Sequence, residues 1–132
     1  MRVKLPYGHS FLEGNIDEKH VCAIIKSKLD EYCPKCGEVE LVSRSLRAPI
    51  GSASLCELAK GKQRVVLIAS DHTRPVPSRV IVPQMLAEIR RGNPNAEITI
   101  LIATGCHRGT TRDELEKKFG EEIVSQEHIV VH

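Results

Sequence analysis

The stretch that most constrains this chain is RVVLIASDHTRPVPS, residues 64–78. It opens on an unbroken apolar run, 65–69, whose length and β-branched character predict a strand buried on both faces, as in a parallel sheet. The run stops in Asp71-His72-Thr73-Arg74-Pro75, where an acid, an imidazole, a hydroxyl and a guanidinium hold four consecutive positions. Pro75 and Pro77 cannot donate to a sheet ladder and stiffen the exit. Open α/β sheets place their ligands where a parallel strand gives way to such a loop. This loop is therefore read as half of an active site. On composition alone a salt-bridged turn would explain it equally well, because turns favour Asp and Pro.

A second unit repeats the rhythm. Ser78 is placed to cap a helix with Ile81, Val82, Met85, Leu86 and Ile89 on one face. Pro83 belongs in a first turn, so the regular helix is expected to start nearer 82. Gly92-Asn93-Pro94-Asn95 closes it, and 96–103 (AEITILIA) is a strand rich in β-branched residues. That strand ends in Thr104-Gly105-Cys106-His107-Arg108-Gly109. Thr111 and Glu114 form a capping box, Leu115 and Phe119 are the inward pair of its helix, and Gly120 ends it. A last strand runs over 128–131. Two consecutive βα units imply adjacent parallel strands whose polar loops open at one sheet edge. Asp71–Arg74 and His107 are then expected on one rim.

Upstream, 2–6 and 9–13 read as two short strands joined by Tyr7-Gly8. Residues 21–29 are apolar enough for strand or helix, with strand favoured for the first half. Residues 38–46 carry Val39, Val42 and Leu46 at helical spacing, and 52–60 reads as a helix with Leu55 and Leu58 inward and Gly61 as its stop. The fold class is α/β: a Rossmann-like parallel sheet core with helices on its faces and an N-terminal β-hairpin elaboration. Residues 1–132 read as one domain.

Bulk properties exclude several function classes. The chain has 132 residues, a formal net charge of +2 and 3% aromatics without Trp, which gives no footprint for nucleic acid and no base-stacking platform. No apolar run approaches the ~20 residues of a membrane span, and the N-terminus lacks a signal peptide's apolar segment. A cytoplasmic protein with no membrane or nucleic-acid partner is expected. Five cysteines, an odd number, point to reduced thiols rather than a disulfide framework.

Two further motifs compete with bland readings. Cys106 beside His107 suggests a thiolate nucleophile, but neighbouring side chains on an extended chain point apart, so a buried Cys106 is the better reading. Cys33-Pro-Lys-Cys36 has the spacing of a zinc half-site, yet no second C-x-x-C or H-x₃-H completes four ligands. His107 alone would be an ordinary loop histidine. Its shared rim with Asp71–Arg74 is what favours acid–base work.

SDHTRPVPS, followed by ATGCHR and TRDELEKKFGEEIV, with LPYG and APIGSASLCELAKGK upstream, resembles the N-terminal part of the nickel-pincer lactate racemase family over nearly the whole chain. The resemblance implies a 2-hydroxyacid racemase or epimerase, with lactate the type substrate. It implies a nickel-pincer pyridinium mononucleotide cofactor that takes the Cα hydride and returns it to the other face of the 2-keto acid. On that pattern His107 matches one of two proton-transferring histidines. Asp71, His72, Thr73 and Arg74 match the segment that binds the pincer nucleotide, and Arg74 is also a candidate for the substrate carboxylate. The family's second histidine, tethering lysine and nickel ligand lie beyond this sequence, so no metal ligand is assigned here. The chain is then expected to be the N-terminal lobe of a longer two-domain racemase, inactive alone and partnered by the missing C-terminal lobe. A stand-alone nucleotide- or anion-binding module is the alternative, and a zinc-stabilised interaction domain a more distant one.

Overall fold

A computed structural model describes all 132 residues, Met1–His132. They fall into two compact units, Met1–Lys35 and Cys36–His132.

In the first unit, β1 (Arg2–Tyr7) and β2 (Ser10–Asn15) form an antiparallel hairpin, with Leu5 opposite Leu12 and Tyr7 opposite Ser10. The turn between them places Gly8 at a φ of +58°, a conformation that favours glycine. The strand expected early in 21–29 does not form. Asp17 accepts from the Lys19 amide and Ser27 from the Leu29 amide, and these bonds turn the backbone into short 3-10 segments at Glu18–His20 and Lys28–Glu31. Ile25 is 95% exposed, so the apolar composition there marks no buried strand.

The second unit holds the parallel sheet. α1 (Glu38–Arg47) and α2 (Leu55–Ala59) lead into β3 (Arg64–Ser70), α3 (Ser78–Gly92), β4 (Glu97–Ala103), α4 (Arg112–Phe119), α5 (Glu121–Gln126) and β5 (His128–Val131). The strand order is β3-β4-β5, all parallel, with Ser70 opposite Ala103 and Ile102 opposite Val131. Ile98, Ile100 and Ile102 of β4 are buried against Val82, Leu86 and Ile89 of α3, Leu115 and Phe119 of α4, and Ile123 of α5. The mixed α/β class, parallel core and N-terminal hairpin expected from the sequence are present.

Four details differ. A sheet whose strands follow in chain order, joined by crossovers of one hand, stacks its helices on one face. β3 is accordingly buried on one side only: Val65, Leu67 and Ala69 pack on the core, while Val66 and Ile68 are 59% and 70% exposed. Helix α2 starts after Ser54, whose capping box with Glu57 rotates Ala59 inward and leaves Leu58 52% exposed. Helix α3 begins at Ser78 rather than near 82, with Pro77 as its cap, and Ser78 is a buried helical residue, not the cap. Pro83 is carried inside the helix because Val82, Leu86 and Ile89 are all buried around it. Cys106 is exposed, since its turn projects beyond the strand end. No helix is long and apolar enough to cross a membrane.

Candidate functional site

Asp71, the first residue past β3, is the only acid in the buried interior, at 2% exposure. Its Oδ1 accepts from the Thr73 amide at 3.1 Å and from the Thr73 hydroxyl at 2.7 Å, which folds the chain back on itself directly after the strand. Its carbonyl accepts from the Arg74 amide at 3.3 Å. Lys118 Nζ, reaching from α4, donates to the Arg74 carbonyl at 3.0 Å and ties down the far side of the loop.

The second loop leaves β4 at Thr104, a buried residue whose hydroxyl donates to the His132 carbonyl at 2.7 Å. Its carbonyl accepts from the His107 amide at 3.1 Å, closing a tight turn in which Gly105 has a φ of +60°. That turn swings His107 toward the first loop. His107 Nδ1 stands 2.5 Å from Asp71 Oδ2 and 3.4 Å from the Thr73 hydroxyl. Both carboxylate oxygens of Asp71 are therefore engaged by protein groups, one by Thr73 and one by His107.

The electrostatics follow from these contacts. The Thr73 hydroxyl, with help from the His107 ring and the Thr73 amide, holds the Asp71 carboxyl well below the usual carboxylate range despite its burial. An ionised carboxylate only accepts, so Nδ1 of His107 carries a proton toward it, and in the neutral ring the Nε2 lone pair is free. Arg74 enters none of the ion pairs that fix its neighbours. A hollow of about 360 Å³ lies between the loops, bounded by Ser70, Asp71, Arg74, Thr104, Gly105 and His107. A guanidinium without an acidic partner and an imidazole oriented by a buried acid thus share one cleft, as expected of adjacent parallel strands.

A larger hollow of about 620 Å³ lies along α3 and α5, over Pro83, Leu86, Phe119 and Ile123. Arg90 in its wall is paired to Glu127, and the lining contains no imidazole or thiol. The acid–imidazole pair and the unpaired guanidinium lie instead at the strand ends.

The outer contacts of the site escaped the sequence reading. Glu114 was legible only as the capping residue of α4. It also takes a bidentate pair from Arg108, at 2.9 and 2.6 Å, and lies 3.6 Å from His72 Nε2. Arg108, with the Thr111 amide, pulls the Glu114 carboxyl down to about 2. His72 Nδ1 meets the Thr110 hydroxyl at 3.3 Å. Only the capping-box spacing pointed to Glu114, and that spacing carries no information on Arg108 or His72.

Fold and site together define an α/β domain of the open parallel-sheet class, with a polar cleft at the carboxyl ends of two neighbouring strands, the place where such sheets bind ligands. The family description "Lactate racemase N-terminal domain" matches residues 7–132. The chain belongs to that family. It is 47% identical over 130 residues to the lactate racemase of Thermoanaerobacterium thermosaccharolyticum, covering 98% of this chain and 30% of that protein. It is 46% identical over 130 residues to the lactate racemase of Lactiplantibacillus plantarum, covering 98% of this chain and 31% of that one. The solved lactate racemase apoprotein from T. thermosaccharolyticum superposes with a TM-score of 0.86 at 45% identity, over 100% of this chain and 30% of that structure. The chain thus spans about a third of the length of the curated relatives it matches.

Proposed function

We propose that these residues form the N-terminal part of a nickel-pincer-dependent 2-hydroxyacid racemase that interconverts D- and L-lactate, and that they supply one proton-transferring side of its active site. The observation that carries this reading is the Asp71–His107 pair at 2.5 Å, sharing a cleft with the free guanidinium of Arg74.

In this reading His107 Nε2 takes the proton of the substrate hydroxyl. Asp71 stays ionised, keeps Nδ1 protonated, and stabilises the imidazolium that forms. Asp71 then acts on the substrate proton through His107. Arg74 presents two parallel N–H groups to the carboxylate of a 2-hydroxy acid, which fixes the molecule while its α-carbon changes configuration. His72, Thr73 and Arg74 offer donors to an anionic nucleotide, so the donor set suits the nucleotide portion of the cofactor. No three His, Cys, Asp or Glu side chains of this chain cluster closely enough to hold a metal ion, so nickel ligands would have to come from other sequence. When bound, the cofactor supplies the hydride acceptor that no side chain provides.

The test is a chimera in which this chain replaces the matching N-terminal region of the T. thermosaccharolyticum relative. The chimera, given the cofactor, should racemise lactate, and the 132-residue chain with the same cofactor should not. Racemisation by the chain alone would refute the half-site assignment. A folded chimera that binds the cofactor without turnover would favour a nucleotide- or anion-binding module.

A further inference from the structure

We infer that Glu114 is a positioning residue for His107, holding the second loop in register with the first. This goes beyond its capping of α4, and it rests on the reading of His107 as the proton-transferring group.

The inference comes from where its contacts lie. A capping box asks one thing of its glutamate, a bond back to the N-cap amide, and Glu114 Oε2 accepts from the Thr111 amide at 2.9 Å. The same carboxylate also receives both Arg108 nitrogens. Arg108 directly follows His107, and its Nη1 further donates to the Gly109 carbonyl at 2.9 Å. On the other side, Glu114 Oε1 faces His72 Nε2 at 3.6 Å, and His72 directly follows Asp71. The buried Thr110 hydroxyl meets the other nitrogen of that ring.

Each member of the Asp71–His107 pair thus has its chain neighbour turned toward one carboxylate, which is itself fixed to the start of α4. Capping accounts for one of these contacts. The remainder form a bracket between the two loops, placed so that loosening it frees the turn that carries His107. Gly105 lies within that turn and Gly109 just beyond Arg108, so glycine flanks the segment on both sides.

Two variants separate positioning from capping. Glutamine serves in capping boxes as glutamate does, so Glu114→Gln keeps the α4 start but loses the bidentate ionic pair. Arg108→Ala leaves Glu114 and its cap intact and removes the same clamp from the other end. The readout is the His107 ring in the ¹⁵N-labelled 132-residue chain: the Nδ1–H tautomer signal and the exchange rate of that proton. Both variants should speed exchange about tenfold, the scale of coupling within one hydrogen-bonded network, while the backbone amides of α4 keep their protection. Combining them should add little to either alone. Unchanged His107 signals in both variants would overturn the inference, as would effects in opposite directions, which would mark a charge effect. Because no turnover is measured, failure here is distinguishable from failure of the racemase reading, which the chimera tests.

Discussion

Asp71 and His107 lie 36 positions apart in the chain and meet because β3 and β4 are paired in parallel with Ser70 opposite Ala103. Replacing Asp71 by alanine should leave His107 without a fixed tautomer. In the chimera this should lower kcat by roughly 10²–10⁴-fold, the usual worth of a general acid–base group, with little change in KM. Arg74→Ala should act the other way, raising KM for lactate more than it lowers kcat, because the guanidinium holds the carboxylate in ground and transition states alike. Steady-state kinetics on both variants checks the division of labour, and equal, negligible effects would remove both assignments. The motif DHTR and His107 were legible in the sequence because a polar loop after an apolar strand has a known place in this fold. Asp71's attachment to His107 was not. Sequence spacing sets which loops adjoin, whereas the pairing depends on the Thr104–His107 turn, whose φ of +60° at Gly105 no spacing rule foretells.

Helices α2, α3 and α4 show how element ends are set. Gly92 closes α3 against α2 so tightly that an added Cβ would sit 2.1 Å from the Cys56 carbonyl and 3.0 Å from the Ala59 side chain. In the sequence Gly92 marks only a helix stop, and its packing role appears only with the neighbouring helix in place. Gly92→Ala should destabilise the chain by about 1–3 kcal/mol, as overpacked sites do, read as a lower thermal midpoint. The start of α4 responds to acid. Its Glu114 carboxyl is drawn from 4.5 down to about 2 by Arg108 and Thr111, so folding favours the ionised form. That contribution is complete above the ordinary carboxylate range and is lost as pH falls through 4.5 toward 2, and Asp71, also held below its usual range, begins to lose its own share as pH falls through 3.8. The midpoint should therefore fall between pH 5 and pH 2. Glu114→Gln should start a few degrees lower at neutral pH and converge with the unmodified chain in acid. Parallel curves across that range would show that Glu114 contributes no pH-dependent stability.

At the scale of the molecule, the sheet has two unlike faces, and the sequence could not distinguish them on β3. The run 65–69 is apolar throughout, the pattern of a strand covered twice, yet only Val65, Leu67 and Ala69 meet the helical layer while Val66 and Ile68 face outward. On β4 the contrast is built in differently, with Ile98, Ile100 and Ile102 buried and Thr99 and Leu101 on the other side only partly covered. Exposed apolar residues on adjoining strands make a patch that binds dyes and promotes association. Threonine keeps the β-branched shape that strands favour while exchanging a methyl of valine, or the ethyl of isoleucine, for a hydroxyl. The double substitution Val66→Thr with Ile68→Thr should thus reduce anilinonaphthalene sulfonate binding and any concentration-dependent association, and leave the thermal midpoint nearly unchanged. Ile100→Ala, one strand away and fully buried, should cost about 2–5 kcal/mol, because it removes methyl groups from a packed interior and leaves a cavity. The comparison is internal to one sheet and independent of any activity. If the threonine pair destabilised the chain as much as the alanine did, the outward face of β3 would be packed in solution and the one-sided sheet would be wrong.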